Sequence, residues 1–295
     1  MREPIFTGAC VAIVTPFTET GVDFEQLEKL IEFQIAGGTS AICICGTTGE
    51  ASTQSVEEHL KTIQFCTEKV AGRVKVIAGT GANSTLEALH LSQEAEKFGV
   101  DGLLMVTPYY NKASQTGLVK HYTYVADRVH TPIILYNVPS RTGTTIQPET
   151  YQILAQHPMI NGCKEASGSF PALSHTLALC PDDFYMWSGN DDQVVPMMSL
   201  GAKGVISVVS NIWPQIMAQM TALCLEGKFA EAARIQLDLL PLCDALFCEV
   251  NPIPVKGAMN MMGLKGGQLR LPLCDMSDAH MELMRKTLQQ YGLLK

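Results

Sequence analysis

The chain has 295 residues, of which 46% are hydrophobic, and a formal net charge of −8 at pH 7. This length suits either one large α/β barrel or two smaller domains, each with a substantial core. The negative charge and the lack of any Lys/Arg run argue against a nucleic acid or an anionic membrane as partner, because both are bound by basic surfaces.

The ten cysteines have no paired spacing, and the sequence contains no Cys-x-x-Cys. Neither a zinc site nor a disulfide framework is therefore predicted, and a reducing cytoplasm is the expected location. No apolar run reaches the roughly 18 residues that a membrane span requires, so no anchor or signal peptide is expected. We expect no metal and no cofactor.

Short β-branched runs alternate with longer amphipathic segments, a pattern typical of parallel strands joined by helices. The predicted strands are Gly8–Thr15, Ala41–Cys45, Lys75–Ala78, Gly102–Val106, Ile133–Tyr136, Ile160–Lys164, Tyr185–Ser188 and Gly204–Val208. The predicted helices between them are Phe24–Ala36, Val56–Val70, Thr85–Phe98, Gly117–Val129, Pro148–Gln156, Pro171–Leu179 and Asp192–Leu200. Asp23, Ser55 and Ser84 stand where helix N-caps belong.

After Val208 the pattern predicts helices alone: Pro214–Leu225, Lys228–Phe247, Pro254–Met262 and Ser277–Tyr291. Eight strand–helix units followed by helices predict a (β/α)8 TIM barrel with a C-terminal helical extension. We place the barrel at residues 1–225 and expect residues 226–295 to pack on it. A doubly wound sheet is the alternative, although no Gly-x-Gly-x-x-Gly follows the first strand.

In such a barrel the catalytic groups lie where the strands end. The unusual residues of this chain fall there: Gly46–Glu50, Thr107–Asn111, Tyr136, Arg141, Lys164 and Gly189–Asn190. Loops that follow five different strands should therefore meet on one face of the barrel.

Lys164 ends an apolar run and is a candidate nucleophile. A lysine amine attacks a carbonyl only when it is neutral, and apolar surroundings favour that form. Tyr136 could move protons beside the amine through a chain of hydroxyls that includes Thr47. Arg141 could hold a carboxylate in a bidentate pair. Taken singly, these residues fit a solvated lysine, a core tyrosine and a solvated arginine better than they fit a catalytic site.

The turn Gly46-Thr47-Thr48-Gly49 would let backbone N–H groups and two hydroxyls approach a small carboxylate, although it could also be a simple tight turn. Tyr109 and Tyr110 are equally consistent with aromatic packing at an interface. Glu50 and Glu165 fit a structural role in hydrogen bonding better than one in acid–base chemistry.

Six motifs together resemble the 4-hydroxy-tetrahydrodipicolinate synthases, formerly called dihydrodipicolinate synthases, which belong to the pyruvate-dependent class I aldolases. The motifs are Gly46–Glu50, Tyr109-Tyr110, Tyr136–Gly143, Gly162–Ala166, Gly204–Ser207 and Asn251–Lys256. The likeness covers essentially the whole chain. It implies condensation of pyruvate with L-aspartate 4-semialdehyde by a homotetramer built from two tight dimers.

The resemblance also implies a role for each matched residue. Lys164 matches the lysine that forms the Schiff base, and Tyr136 matches the general acid/base. Thr47 and Tyr110 match the rest of the proton relay, with Tyr110 supplied by the neighbouring subunit. The implied substrate contacts are Thr48 for the pyruvate carboxylate, Arg141 for the semialdehyde carboxylate, and the main chain at Gly189 and Ile206.

Two rival enzyme groups, the N-acetylneuraminate lyases and the 2-keto-3-deoxy-sugar-acid aldolases, share the lysine and the tyrosine. Arg141 favours the synthase, because sialate lyases typically lack an arginine there. A barrel that binds a metabolite without catalysis is a more remote alternative.

Regulation by lysine stays open at this stage. His59, Asn83, Glu87 and Tyr109 match the pocket through which lysine-inhibited members bind lysine. Val56 stands where many of those members have histidine, and Ala51 replaces a polar residue.

Overall fold

The computed structural model describes residues 1–294, and a closed barrel of eight parallel strands lies at its centre. Its strands are β1 (Gly8–Ala12), β4 (Ala41–Ile44), β5 (Lys75–Gly79), β6 (Gly102–Val106), β7 (Ile133–Asn137), β8 (Ile160–Glu165), β9 (Tyr185–Ser188) and β10 (Gly204–Ser207). The short strands β2 (Phe17–Thr18) and β3 (Gly21–Val22) form a separate hairpin. Strand β1 pairs with both β4 and β10, which closes the barrel and confirms the predicted fold class.

The surrounding helices are α1 (Phe24–Ala36), α2 (Val56–Val70), α3 (Thr85–Lys97), α4 (Gln115–Ala126), α5 (Pro139–Thr142), α6 (Pro148–Leu154), α7 (Phe170–Leu179), α8 (Val194–Ser199) and α9 (Pro214–Leu225). They are followed by α10 (Phe229–Asp238), α11 (Leu240–Leu246), α12 (Ile253–Met261) and α13 (Asp278–Gln290). Asp23, Ser55 and Ser84 accept N–H hydrogen bonds at the starts of α1, α2 and α3, as predicted. No helix within residues 1–294 is both long enough and apolar enough to cross a membrane.

Side chains along the strands alternate between two cores. On β7, Ile134 and Tyr136 belong to the cluster inside the barrel, whereas Ile133 and Leu135 pack under the surrounding helices. This alternation follows from the two-residue period of a strand. Both faces of the sheet are apolar because both are covered.

The pairing of β7 with β8 contains an irregularity that sets the register of the site. Ile133 pairs with Ile160, but Ile134 pairs with Gly162, so Asn161 is an extra residue in β8. Beyond this bulge Tyr136 lies opposite Lys164. The Asn161 side chain bonds to the backbone of Glu3 and Ile5, which ties the bulge to the N-terminal arm.

Arg2 fastens the same arm across the N-terminal end of the barrel. Its guanidinium donates to the carbonyl oxygens of Ala155, His157 and Ile160 and pairs with Asp183 at 2.7 Å. The pair holds the pKa of Asp183 below its usual range. This cluster lies at the end of the barrel opposite to the loops that follow the strands.

The predicted single helix Lys228–Phe247 was wrong, because the structure has α10 and α11 there instead. Pro241 lies in the first turn of α11, and a proline lacks the N–H that a continuous helix would need at this position. The hairpin of β2 and β3 and the helix α5 were not predicted, since segments of two to four residues are too short to show a period.

The C-terminal helices pack on the barrel. Helix α10 contacts α8 and α9, while α11 and α12 contact the turn Val209–Asn211 that follows β10. Through these contacts, residues far along the chain reach the end of the barrel where the strands finish.

We expect Gly162→Ala to destabilise the protein, because β8 and β9 approach closely at this glycine. An added Cβ would lie 1.9 Å from the carbonyl oxygen of Tyr185. The free energy of unfolding in urea should fall by about 3 kcal/mol or more, the upper range for overpacking. Gly117→Ala, on α4, is the control, because its Cβ would lie no closer than 3.4 Å to any neighbouring atom. Equal stability of the two variants would contradict this account.

Candidate active site

A cavity of about 330 Å³ opens at the C-terminal ends of the strands. Its wall includes Cys45, Gly46, Thr47, Ala51, Gln54, Val56, His59, Glu87, Tyr109, Tyr136, Val138, Arg141 and Thr142. Turns that follow β4 and β7 thus meet at one opening, as the position of active sites in this architecture predicts. The volume lies in the range of small-molecule sites.

Lys164 and Tyr136 lie side by side on the inner face of β8 and β7. The Nζ atom of Lys164 is 4.3 Å from the centroid of the Tyr136 ring. Both side chains are buried, with 6% and 7% of their surface exposed. No ion pair within 4.0 Å involves this amine in residues 1–294. The amine therefore lies in a dry site against a phenol ring, with no carboxylate to hold it.

The floor below the amine is apolar. Ile206, Trp187 and Cys43 belong, with Tyr136, to the buried cluster inside the barrel. Burial raises the pKa of the Cys43 thiol to about 11, although the Lys164 charge acts in the opposite direction. The thiol is accordingly uncharged near neutral pH, so the floor holds no competing anion.

The turn Gly46–Glu50 forms one wall. The N–H groups of Gly49 and Glu50 donate to the carbonyl oxygens of Gly46 and Thr47, which folds the turn tightly. Thr47 faces the cavity. The Thr48 hydroxyl oxygen accepts a hydrogen bond of 2.9 Å from the side-chain amide of Asn251. Since that oxygen is the acceptor, the hydroxyl proton stays available for an anion.

Arg141 stands at the rim on α5. It is exposed, and its Nη2 donates to the carbonyl oxygen of Asn251 over 3.2 Å. No carboxylate within residues 1–294 forms an ion pair with this guanidinium. The remaining N–H groups can therefore take a carboxylate from outside the chain in a bidentate pair.

Gly189 lies directly beside the lysine. A Cβ at Gly189 would lie 3.1 Å from Cε of Lys164 and 2.7 Å from Cβ of Ala166. Ile206 is fully buried on β10, in the floor of the barrel. Gly189 therefore follows β9 directly beside the lysine, while Ile206 lies within β10 inside the barrel.

Glu165 and Cys163 flank the lysine but face away from it, toward the outer core. The Glu165 carboxylate accepts from the side-chain amide of Asn137 at 3.0 Å, from the Tyr151 hydroxyl at 3.2 Å and from the N–H of Ser167 at 2.6 Å. Burial raises the pKa of the Cys163 thiol well above its usual range. The predicted structural role of Glu165 agrees with these contacts.

Of the predicted catalytic residues, Thr47 and Tyr136 line the cavity, Lys164 lies buried against Tyr136, and Tyr110 does not reach the cavity of its own chain. Its side chain is 90% exposed, and its φ angle is +73°, a left-handed value that is unusual for a bulky residue. Its neighbour Tyr109 lines the cavity instead. The position of Tyr110 beside the lysine of a neighbouring subunit stays a prediction.

The predicted lysine-binding residues gather at the far side of the same cavity. His59, Glu87 and Tyr109 line it, whereas Asn83 is not among its lining residues. Burial and the nearby Glu87 carboxylate raise the pKa of Tyr109. Burial also lowers the pKa of His59, whose Nε2 lies 2.7 Å from the carbonyl oxygen of Gly79. This pocket therefore offers a carboxylate and a neutral imidazole to a cationic ligand.

Sequence reasoning assigned no individual role to two buried polar residues, Asn251 and Asp191. Asn251 bonds to both Thr48 and Arg141. Asp191 accepts from the N–H groups of Val208 and Val209 at the end of β10, and burial raises its pKa. An acidic residue directly after Gly189-Asn190 was the only available signal for Asp191. Nothing in the local pattern around Asn251 indicates two contacts across the fold.

The model of the dihydrodipicolinate synthetase family matches residues 5–291. The chain belongs to this family. It is 52% identical over 294 residues to the 4-hydroxy-tetrahydrodipicolinate synthase of Acetivibrio thermocellus, with all of both chains covered. The predicted family and the predicted lyase activity are thereby confirmed.

Solved structures of the family show the same fold. The dihydrodipicolinate synthase of Aquifex aeolicus is 45% identical, with a TM-score of 0.96 and coverage of 98% of this chain and 99% of that one. The enzyme of Acinetobacter baumannii, solved with pyruvate, is 42% identical, with a TM-score of 0.95 and coverage of 98% of this chain and 99% of that one. The enzyme of Cyanidioschyzon merolae, solved with lysine bound, is 36% identical, with a TM-score of 0.95 and coverage of 99% of this chain and 100% of that one.

We expect Gly189→Ala to displace the lysine amine and to lower activity. The new methyl group would overlap Ala166 and press on Cε of Lys164. Turnover, kcat/KM for the keto acid and covalent trapping of the amine should fall together, while circular dichroism shows the barrel still folded. Gly117→Ala, far from the cavity, is the control and should keep its turnover. Unchanged turnover of Gly189→Ala would contradict this prediction, because the added methyl group would then not displace Lys164.

Proposed function

We propose that Lys164 forms a Schiff base with pyruvate and that the resulting enamine condenses with L-aspartate 4-semialdehyde, giving 4-hydroxy-tetrahydrodipicolinate. The single observation that carries this proposal is the buried pair of Lys164 and Tyr136: Nζ of the lysine is 4.3 Å from the centroid of the tyrosine ring, and the tyrosine lines the open cavity. Such a pair supplies a nucleophile and a proton donor in one dry site. The solved complex of the Acinetobacter baumannii relative with pyruvate supports the choice of keto acid.

The steps follow from the groups present. The neutral amine adds to the keto carbon of pyruvate, and loss of water gives an iminium ion. The positive nitrogen draws electrons from the methyl group, which loses a proton to form an enamine. The enamine carbon attacks the aldehyde, and the new alkoxide takes a proton. The amino group of the adduct then displaces Lys164 as the ring closes.

Tyr136 carries protons in these steps as the general acid and base. Thr47, which also lines the cavity, continues the relay toward solvent. No hydrogen bond joins the two hydroxyls directly among the described residues, so the relay operates through substrate, through water or through a further hydroxyl. Tyr110 of a neighbouring copy is that further hydroxyl in our proposal, and its strained, exposed position supports this assignment.

The two substrate carboxylates take different sites. The Thr48 hydroxyl and the N–H groups of its turn bind the carboxylate of pyruvate, while Arg141 at the rim binds that of the semialdehyde. The main chain at Gly189 and Ile206 completes the pocket. A guanidinium at the rim favours a carboxylate-bearing aldehyde over the polyol chain of a sialic acid.

We further propose a homotetramer of two tight dimers that acts in the cytoplasm, with residues 1–225 as the barrel and 226–295 as the packed helical region. Within this assembly we assign His59, Asn83, Glu87 and Tyr109 to an inhibitory L-lysine site. Glu87 would pair with the lysine ammonium. Val56 and Ala51 line the same cavity and their apolar side chains offer no polar contact, so the site should bind lysine weakly.

Pyruvate with borohydride should attach covalently to Lys164, because reduction fixes the Schiff base. Peptide mass analysis should find the reduced adduct on Lys164, and Lys164→Ala should lose both adduct and turnover. Tyr136→Phe should still accumulate some adduct but turn over about 10²–10⁴ times more slowly, the usual contribution of acid–base catalysis. A wild-type protein that forms no adduct would refute the mechanism.

L-Lysine should inhibit the wild-type enzyme at millimolar concentrations, and Glu87→Gln should weaken this inhibition, because it removes the charge that pairs with the ammonium. The measurement is initial rate against lysine concentration at fixed substrates. Lys29→Met on α1, a change in an exposed ion pair, serves as the control. Full activity of the wild type in millimolar lysine would remove the assignment.

A further inference from the structure

A fully buried ion pair lies behind the wall of the cavity. Lys256 on α12 and Glu50 at the end of the turn Gly46–Glu50 each have only 1% of their side chain exposed, and Nζ is 2.5 Å from Oε1. Neither residue lines the cavity. Glu50 has no acid–base role in the proposed reaction, so the pair needs another explanation.

Stability alone does not explain these charges. Removing each ion from water costs several kcal/mol, and a well-packed apolar pair in such a place is often equally stable or more stable. Burial lowers the pKa of Lys256, while the Glu50 charge opposes that shift. Apolar packing does not fix the orientation of a side chain as strictly as hydrogen bonds do. The charged groups of this pair therefore add a defined orientation for each side chain.

Both members of the pair are held from several sides. Lys256 also donates to the carbonyl oxygen of Gln268 at 2.7 Å and lies over the Phe17 ring at 4.6 Å. The Oε2 atom of Glu50 accepts from the N–H of Arg270 at 3.1 Å. Within residues 1–294, Oε1 accepts no hydrogen bond of regular geometry, and its one charged contact is the ion pair with the Lys256 ammonium. The Arg270 guanidinium is itself paired with Glu58 at 2.5 Å. Lys256 is therefore the only cation in contact with the inner oxygen.

The backbone of Glu50 needs such an anchor. Its φ angle is +52°, in the left-handed region, which costs about 1–2 kcal/mol for a residue with a Cβ. Its N–H closes the turn by donating to the carbonyl oxygen of Thr47 at 3.0 Å. If Glu50 relaxed toward ordinary angles, this bond would break and Thr47 and Thr48 would move.

The same C-terminal segment holds the turn at a second point. Asn251, five residues before Lys256, donates to the Thr48 hydroxyl oxygen. The segment Asn251–Lys256 thus contacts the turn both at its centre and at its end. These two contacts would orient the hydroxyls to which we assign pyruvate binding and proton transfer.

We propose that Lys256 and Glu50 are positioning residues, which hold the turn Gly46–Glu50 against α12 in the conformation that binds the pyruvate carboxylate. This role rests on the function proposed above. It concerns the geometry of Thr47 and Thr48 and assigns neither charged group to contact with substrate.

The test uses Lys256→Met, Glu50→Gln and the double variant in the full-length enzyme. Each single change should raise the KM for pyruvate about tenfold and lower kcat, while the KM for the semialdehyde changes by less than about twofold. The KM for pyruvate and the kcat of the double variant should be no worse than those of the more impaired single variant, because either change already releases the turn. In each variant, half-maximal trapping by borohydride should need about tenfold more pyruvate than in the wild type.

Lys75→Met is the control. It breaks an ion pair with Asp101 at the start of β5, at the opposite end of the barrel, so it should leave the KM for pyruvate unchanged. If Lys256→Met and Glu50→Gln lower the melting temperature but also leave the KM for pyruvate unchanged, the pair is structural only and the proposal is wrong. Glu50→Gln keeps the side-chain volume and allows the test even if Lys256→Met does not fold. A wild type that traps no pyruvate would instead refute the proposed function.

Discussion

The register between β7 and β8 is the constraint on which the site depends. One extra residue at Asn161 shifts the pairing so that Tyr136 and Lys164 lie opposite each other and both face inward. Because side chains alternate along a strand, a shift by one residue would turn the lysine to the outer core, where Cys163 now lies. The N-terminal arm fastens this bulge through Asn161, so the first residues of the chain help to place the lysine to which we assign the Schiff base.

The inward position also sets the electrostatics. The amine lies above an apolar floor and against an aromatic face, and the thiol beneath it is neutral because burial raises its pKa. The charge that an anionic substrate needs is supplied at the rim by Arg141, which has no carboxylate partner of its own among the described residues. Separating the nucleophile from the charged group lets the amine stay dry while a carboxylate is still attracted to the opening.

The sequence predicted much of this arrangement because its signals are local. All eight barrel strands were located to within a few residues, since each is a short apolar run with a turn signal after it. Lys164, Tyr136, Thr47 and Arg141 were selected as candidates by the chemistry of their own loops, and the family resemblance supplied their predicted roles. The helix α5 and the β2–β3 hairpin were missed, because segments that short carry no period. The break before Pro241 was missed although the proline itself was the signal for it.

The contacts that no local pattern could reveal join positions about 200 residues apart, such as Asn251 with Thr48 and Lys256 with Glu50. They change how the C-terminal helices should be understood. A barrel that ended at residue 225 would still contain the lysine, the tyrosine and the arginine, but the turn that carries both threonines would lose its buried cation and its amide donor. Glu50 would then keep a left-handed backbone and a buried carboxylate without the ammonium that now compensates it. The helical region is therefore part of the structure that shapes the cavity, and the active site extends in sequence almost as far as the fold itself.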